Sequence, residues 1–349
     1  MFSVTATVRT ILDNWYFNTH NLQIDVTSHC NARCAFCVRQ QDGTAQTKPE
    51  LELKHFDTTL WDRLVSKDTR GWFIKELTLN GNWGDPMMHP TLVEMLDKFA
   101  HYHPETQLFM HTNGSMRSTE FWNDLAESFR KFTNHTVIFA VDGMKDTHSI
   151  YRVRTNWDKI LENIKSFTNN KGRARVVMTV FKHNIHQIKQ VEEIAKECGC
   201  IEFETRESHG AHTIQDGVVL EHIEVEAYQT RLGNDDYSMS DNRDFGLFSD
   251  IKIKNSKSKC PWYNQRQVQI DPWGTVWPCC HTSLFGRHFN NINIETSVDS
   301  SFVSARKDNN LENKTLREIL NNQWYEKTLK KAVDSASWKI CRETCGVSK

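Results

Sequence analysis

Short β-rich runs alternate with amphipathic helical stretches between residues 22 and 206, and this alternation constrains the fold more than any other feature. Such alternation favours a parallel sheet with helices outside it, because parallel strands need long crossover connections. The six strand candidates are Leu22–Val26, Ile74–Leu79, Gln107–His111, Thr136–Val141, Ala174–Phe181 and Ile201–Thr205. Helical periodicity marks Thr91–Phe99, Trp157–Phe167 and Gln187–Cys198. Six units predict an α/β fold, a partial (β/α)6 TIM-like barrel, whose functional loops follow the carboxyl ends of the strands.

Ten cysteines are the second constraint, because most of them are grouped at ligand-like spacings. The two groups are Cys30, Cys34 and Cys37 near the start of the chain and Cys260, Cys279, Cys341 and Cys345 near its end. No apolar run approaches the ~20 residues of a membrane span, and no signal-peptide core is present. We therefore expect a cytoplasmic protein, in which clustered cysteines indicate metal or redox chemistry rather than disulfides. The net charge of −1 gives no reason to expect nucleic acid or a membrane as partner.

The first cysteine group can surround one metal centre, because its three thiolates lie within eight residues of loop, Cys30-x3-Cys34-x2-Cys37. Three ligands are one fewer than a closed tetrahedral zinc site or a fully ligated cubane needs. A cubane held in this way keeps one iron open. The alternative is a structural zinc site completed by His29 or another residue, although such sites usually contain paired Cys-x2-Cys units.

The pattern Cys-x3-Cys-x-aromatic-Cys, with Phe36 as the aromatic residue, resembles the signature of the radical SAM superfamily. The resemblance implies a [4Fe-4S] cluster with an open iron site that takes the amino and carboxylate groups of S-adenosylmethionine (SAM), with Phe36 near the adenine. It also implies an oxidoreductase or modifying enzyme that cleaves SAM to a 5′-deoxyadenosyl radical and abstracts a substrate hydrogen atom. An electron donor such as a flavodoxin or ferredoxin is the implied partner.

Further loops between about residues 20 and 206 carry the same resemblance. Residues 80–86 (NGNWGDP) stand where the superfamily has a Gly-Gly-Glu-Pro loop that receives the SAM amino group, with Asp85 in place of the glutamate. Asp142 and Arg152 resemble the fourth-strand segment of peptide- and sulfatase-modifying relatives, in which an arginine contacts SAM; Ala140 replaces a contacting serine. The SAM contacts implied are Phe36, Asn80, Gly81, Asn82, Gly84, Asp85, Asn113, Asp142 and Arg152.

The C-terminal region resembles the SPASM or twitch extension, which holds auxiliary iron–sulfur clusters around a β-hairpin and a following helix. Cys260, Cys279, Cys341 and Cys345 fit the twitch plan of one fully ligated auxiliary [4Fe-4S] cluster, with zinc as the alternative. Gln267–Ile270 and Thr275–Trp277 flank a predicted turn at residues 271–274, and Thr315–Val333 has a helical pattern. The remaining thiols are interpreted as buried packing residues, Cys198 and Cys200, and as an inert neighbour of the cluster, Cys280.

The expected domains are an N-terminal extension (1–20), the barrel (21–206), a bridging segment (207–259) with one helix at Val218–Gln229, and the cluster module (260–349). Two substrate classes are open: a small molecule such as an aminocyclitol or sugar, and a peptide or protein side chain. About 20 residues before the first strand are too few for a leader-peptide-binding domain, which weakens the peptide class. The non-enzymatic alternatives are an iron–sulfur electron carrier and a zinc-stabilised binding module.

Overall fold

The computed structural model describes residues 19–35, 37–41, 45–208, 212–213, 219–221, 223, 228–232, 260–288, 306, 308–335 and 338. These residues belong to two compact units. The first unit draws on Met1–Ile24, Phe56–Leu77 and Tyr237–Lys349, and the second on Asp25–His55 and Thr78–Asp236.

The described strands are β1 (Asn21–Ile24), β2 (Glu76–Leu79), β3 (Gln107–Thr112), β4 (Asn134–Ala140), β5 (Ala174–Val180), β6 (Glu202–Glu207), β7 (His212–Thr213), β8 (Val219–Leu220), β9 (Gln229–Arg231), β10 (Gln267–Ile270) and β11 (Val276–Trp277). The described α-helices are α1 (Thr58–Arg63), α2 (Leu92–Tyr102), α3 (Thr119–Phe129), α4 (His148–Tyr151), α5 (Trp157–Asn169), α6 (Ile188–Glu197), α7 (Pro261–Asn264), α8 (Cys280–His288), α9 (Leu316–Leu320) and α10 (Lys330–Ser335). Each of β1 to β5 is followed along the chain by at least one helix, which confirms the predicted βα repeat.

The second unit is built on parallel strands that follow one another in the sheet in sequence order, β3-β4-β5-β6, with β9 antiparallel along the β6 edge. Helices cover one face of these strands. Phe139 of β4 packs against Trp122 of α3 and Phe167 of α5, with ring centroids 5.2 and 6.4 Å away. Burial of these aromatic rings fixes the helices to the sheet. The face opposite these rings is the interior face of the partial barrel.

The first unit contains a small sheet in which β10 lies between β1 and β11. β1 and β10 are parallel, with Leu22 opposite Val268, and β10 pairs antiparallel with β11. The predicted turn between them is confirmed: the Gly274 amide donates to the Asp271 carbonyl at 3.0 Å, and Gly274 has a φ of +81°. That positive φ explains why glycine ends the turn.

All six predicted barrel strands are confirmed to within two residues at each end. The predicted helix at Val218–Gln229 is wrong, because Val219–Leu220 and Gln229–Arg231 are strands. Pairing of β9 with the edge of β6 outweighs the local helical periodicity there. The predicted helix at Thr315–Val333 is interrupted between α9 and α10 by a π-helical stretch, Trp324–Leu329. Among the described residues, no helix has the length and apolar character of a membrane span.

Candidate functional site

The cysteine loop, residues 25–37, leaves β1 and is fixed by hydrogen bonds to other loops of the second unit. The buried Asp25 carboxylate accepts the Asn82 amide at 3.1 Å. The Ser28 hydroxyl accepts the Lys54 amide at 2.7 Å. These bonds fix the start of the loop, at Asp25 and Ser28, just ahead of Cys30.

The three thiols of the loop lie close enough to influence one another. Burial raises the pKa of Cys30, and repulsion from Asp85, Cys34 and Cys37 adds to that rise. Burial likewise raises the pKa of Cys37, again with a contribution from Cys34. A thiolate in this place needs a compensating cation, which a bound metal cluster supplies. The donor set therefore fits an iron–sulfur cluster. Among the described residues, no three His, Cys, Asp or Glu side chains form a binding group for a single metal ion.

The loop after β2 packs directly against the cysteine loop at Gly84. A Cβ atom at position 84 would lie 2.5 Å from the carbonyl oxygens of both Thr27 and His29, and backbone atoms cannot yield easily. The next residue continues the contact, since the Asp85 amide donates to the His29 carbonyl at 2.9 Å. Asn80, which is half-buried, and the exposed Gly81 begin this loop. Close backbone approach therefore explains the glycine at position 84.

The Asp85 carboxylate joins the loops after β2 and β3. It accepts the Asn113 amide at 2.7 Å, the Thr112 hydroxyl at 2.9 Å and the Met87 amide at 3.0 Å. Burial raises the pKa of Asp85, and these donors act in the opposite direction. With its oxygens filled by donors of the chain itself, Asp85 acts here as a cross-link between loops.

Asn113 carries this cross-link to the cysteine loop. Its side-chain amide donates to Asp85 at 2.5 Å and to Asn31 at 2.9 Å, and lies 3.9 Å from the Cys30 sulfur. Asn31 in turn donates to the Ser115 hydroxyl at 2.7 Å. Sequence reasoning missed Asn31 and Ser115. The position of Asn31, directly after a ligand-type cysteine, was the one available signal.

Asp142 and Arg152 form a buried ion pair beside the cysteine loop, with the Arg152 Nε donating to Asp142. The Arg152 Nη1 lies 3.5 Å from the Cys34 sulfur, and its guanidinium stacks on the Tyr151 ring. Burial acts to lower the pKa of Arg152, but the charges of Asp142 and Cys34 prevail and raise it. The guanidinium is therefore a fixed cation next to the thiols.

The first unit contains a separate cysteine pocket, lined by Cys260, Trp262, Tyr263, Pro278, Cys279, Thr282, Leu329, Val333 and Trp338. The Tyr263 amide lies 3.4 Å from the Cys260 sulfur, and the Thr282 hydroxyl lies 3.5 Å from the Cys279 sulfur. Burial raises the pKa of Cys279 to about 11, followed by repulsion from Cys260. The predicted pair therefore shares one pocket and fits a second metal centre.

Three of the predicted site residues, Phe36, Cys341 and Cys345, lie outside the described residues. The buried positions predicted for Cys198 and Cys200 are confirmed, with exposed fractions of 2% and 3%. Arg39 is a further residue that sequence reasoning missed: its Nε donates to the Ser28 carbonyl at 3.1 Å, and its charge lowers the pKa of Cys30. A single arginine in a loop carries no sequence signal of such a role.

Two family models match the chain. The one described as the Radical SAM superfamily matches residues 24–198, and the one described as an iron–sulfur cluster-binding domain, SPASM, matches residues 260–346. Curated relatives include GTP 3′,8-cyclase of Streptomyces coelicolor, 27% identical over 30% of this chain and 29% of the relative. The same enzyme of Desulforamulus reducens is 25% identical over 38% of each chain. The chain thus aligns with about a third of the length of these relatives.

Solved structures with a similar fold include Streptococcus suis SuiB bound to SAM, with a TM-score of 0.53, 13% identity and coverage of 90% of this chain and 68% of SuiB. SuiB bound to its precursor peptide SuiA gives the same TM-score at 12% identity, covering 96% of this chain and 72% of SuiB. Native anSMEcpe with SAM and a peptide gives a TM-score of 0.50 at 12% identity, covering 94% and 91%. At these identities the likeness shows the fold.

Proposed function

Since the chain belongs to the radical SAM superfamily, we propose that it is an enzyme that cleaves SAM reductively and abstracts a hydrogen atom from its substrate. Cys30, Cys34 and Cys37 would hold the cluster, which would supply the electron for cleavage of SAM to methionine and a 5′-deoxyadenosyl radical. The observation that carries the proposal is the cysteine loop with polar groups already placed at its sulfurs, the Asn113 side-chain amide 3.9 Å from Cys30 and the Arg152 Nη1 3.5 Å from Cys34.

The chain's own residues would orient SAM beside this cluster. The guanidinium of Arg152 uses Nε for Asp142 and has Nη1 3.5 Å from the Cys34 sulfur, so that Nη2 would meet the SAM carboxylate next to the cluster. Asp142 stabilises the arginine in this orientation and is itself fixed by the Thr179 amide at 2.5 Å. The loop 80–86 would border the amino group through its backbone, because the Asp85 oxygens already have donors. Asn113 and Phe36 complete the proposed SAM contacts.

We further propose one auxiliary [4Fe-4S] cluster in the cysteine pocket, with Cys341 and Cys345 completing the ligation begun by Cys260 and Cys279. Full protein ligation favours electron transfer over substrate binding, because no iron is then open to substrate. A barrel at 21–206, a bridging segment at 207–259 and a cluster module at 260–349 remain the proposed domains. The enzyme would need an electron donor such as flavodoxin or ferredoxin, because each cleavage of SAM consumes one electron.

The proposed substrate is a small molecule or a peptide side chain. SuiB with its bound precursor peptide supports the peptide class, and the two GTP 3′,8-cyclases support a small molecule. SuiB shares 13% identity with this chain, and the cyclases align over about a third of their length.

Anaerobic iron and sulfide analysis of the wild type and a Cys30/Cys34/Cys37→Ala variant tests the proposal. We expect the variant to lose about four irons and all 5′-deoxyadenosine release, while the auxiliary cluster remains. A matched Cys198/Cys200→Ala variant, which removes two buried thiols elsewhere in the same unit, should keep both clusters. A triple variant that still cleaves SAM would overturn the assignment. A colourless wild-type protein that contains zinc would favour the binding module instead.

A further inference from the structure

The interior face of the barrel strands carries an unusual row of charged side chains. Strand register places His111 on β3 opposite Ile138 on β4, Ile138 opposite Arg175 on β5, and Arg175 opposite Glu202 on β6. Glu204 and Arg206 follow on the same face of β6, since strand side chains alternate. Barrel interiors are usually filled by branched aliphatic residues. A charged interior therefore calls for an explanation other than core packing.

These side chains form one connected network. Arg175 pairs with Glu202 at 2.6 Å and with Glu204 at 3.3 Å, and Arg206 pairs with Glu204 at 2.7 Å. The network is buried at Arg175, Glu202 and Glu204, and the Arg206 side chain is 23% exposed. Arg206 therefore offers the accessible end of the network. Removing such charges from water is costly, which favours a functional reason for keeping them.

The network leaves polar groups unpaired. The Arg175 Nε and the Glu202 Oε1 are buried and have no hydrogen-bond partner among the described residues. Arg206 uses Nε and Nη2 for Glu204, and no partner of Nη1 is found in the described part of the chain. Buried polar atoms of this kind usually bind water or a ligand. The unpaired Nη1 lies at the end of the network nearest the carboxyl ends of the strands, where barrel enzymes bind substrate.

The charged groups of the network that act on His111 are its two arginines. Burial lowers the pKa of His111 to about 3, and the further causes are the charges of Arg206 and then Arg175. Two arginines share Glu204, while Glu202, nearer the amino end of β6, pairs with Arg175. Burial also raises the pKa of Glu202, and the charge of Arg175 acts in the opposite direction. Since Arg206 shares Glu204 with Arg175, its charge is only partly neutralised, and its Nη1 edge therefore attracts anions.

We propose that Arg206 and His111 bind an anionic group of the substrate, a carboxylate or a phosphate, on the interior face of the barrel. This inference rests on the proposed function and specifies its substrate class. Arg206 offers the free edge of its guanidinium to two oxygens of the anion, and the neutral His111 ring donates one hydrogen bond. Glu204 holds Arg206 in place and limits the affinity by its own negative charge. Arg206 is thus a specificity-determining residue.

Equilibrium binding to the anaerobically reconstituted, SAM-loaded full chain tests the proposal, with glutarate as the carboxylate probe and GTP as the phosphate probe. We expect at least one probe to bind, and its affinity to fall by roughly tenfold or more in Arg206→Gln, equivalent to about 1.4 kcal/mol. Arg206→Lys should restore part of the affinity. Glu204→Gln should strengthen binding, because it removes a competing carboxylate. The exposed Arg130, at the end of α3, gives the matched control Arg130→Gln, which should bind as the wild type does.

Arg206→Gln should weaken probe binding, whereas Glu204→Gln should strengthen it. This difference separates anion binding from a structural role, since a substitution that only loosened the barrel would weaken binding in both variants. Preference for glutarate indicates a carboxylate substrate, and preference for GTP a phosphorylated one. Failure of both probes, or equal affinity in Arg206→Gln and wild type, overturns the inference. SAM cleavage is measured on the same samples. Cleavage without anion binding contradicts this inference alone, whereas loss of cleavage in the wild type contradicts the proposed function.

Discussion

The cysteine loop and the cysteine pocket both bury thiols, but different interactions surround them. The loop is held by polar contacts, such as Ser28 with Lys54 and Asp85 with Asn113, and a fixed guanidinium lies beside Cys34. The pocket is lined mainly by aromatic and aliphatic side chains, with Thr282 as a polar neighbour of Cys279. Polar donors around a metal site can bind an additional ligand, whereas an apolar lining excludes water and ligands.

This difference matches the two roles proposed for the clusters. A site that must bind and release SAM needs donors arranged before the ligand arrives. A site that only passes electrons needs shielding from water and a rigid set of ligands. If the comparison is right, substitutions of polar residues should harm the first site most, and each site should respond to changes in its own unit.

The largest effect is expected for Gly84→Ala. The added Cβ would meet the Thr27 and His29 carbonyl oxygens at 2.5 Å and push the loop after β2 away from the cysteine loop. Because misplacement by about 1 Å can cost about a hundredfold in rate, we expect SAM cleavage to fall at least that far. Rates of 5′-deoxyadenosine release check this. Gly71→Ala is the control for backbone strain without a clash, since Gly71 has a φ of +79° and its Cβ would meet nothing within 4 Å; equal losses in both variants would contradict the explanation.

A smaller, specific effect is expected for Arg152→Lys. Lysine keeps the charge, but its single ammonium nitrogen cannot replace the planar guanidinium, whose separate nitrogens can pair Asp142 and a carboxylate at once. The KM for SAM should rise roughly tenfold, corresponding to about 1.4 kcal/mol, while iron content stays at the wild-type level. Arg154, which is exposed in the same segment, provides the control variant Arg154→Lys. An unchanged KM in Arg152→Lys would remove Arg152 from the proposed SAM site.

The hairpin of β10 and β11, which precedes Cys279, has its own buried carboxylate, and Asp271→Asn tests whether the cysteine pocket is independent of the cysteine loop. Asp271 accepts the Trp273 and Thr275 amides at 3.0 Å and the Trp277 indole N–H at 2.8 Å. An asparagine must turn its NH2 toward one of these donors, which costs about 3 kcal/mol in a buried site. We expect the signal of the auxiliary cluster to weaken in electron paramagnetic resonance. Asp85→Asn should instead weaken the SAM-binding cluster, and loss of both signals in either variant would refute separate sites.

The sequence predicted those parts of the site that depend on local pattern. Strand periodicity located β3 to β6, and cysteine spacing located the loop that holds Cys30, Cys34 and Cys37. It could not predict the contact of Asn31 with Asn113, because 82 residues separate them and only the fold brings their loops together. For the same reason, the sequence could not predict the network of ion pairs that contains Arg175 and Arg206. Alternation alone shows that two residues share a face, but their pairing partners depend on strand order.

Stability at low pH should change without any effect on the chemistry of the site, and His135 allows the two to be separated. His135 lies near the amino end of β4, the end opposite Asp142, and burial followed by the Arg173 charge lowers its pKa to about 4. Because the unfolded chain takes up a proton near pH 6.5 and the folded chain near pH 4, stability decreases as pH falls between these values. At pH 5 the loss from this group is about 2 kcal/mol, and His135→Gln should remove it. Urea denaturation at pH 5 and pH 7 measures the difference, with the exposed His101→Gln as control. An equal loss of stability at pH 5 in wild type and His135→Gln would place the acid sensitivity elsewhere in the molecule.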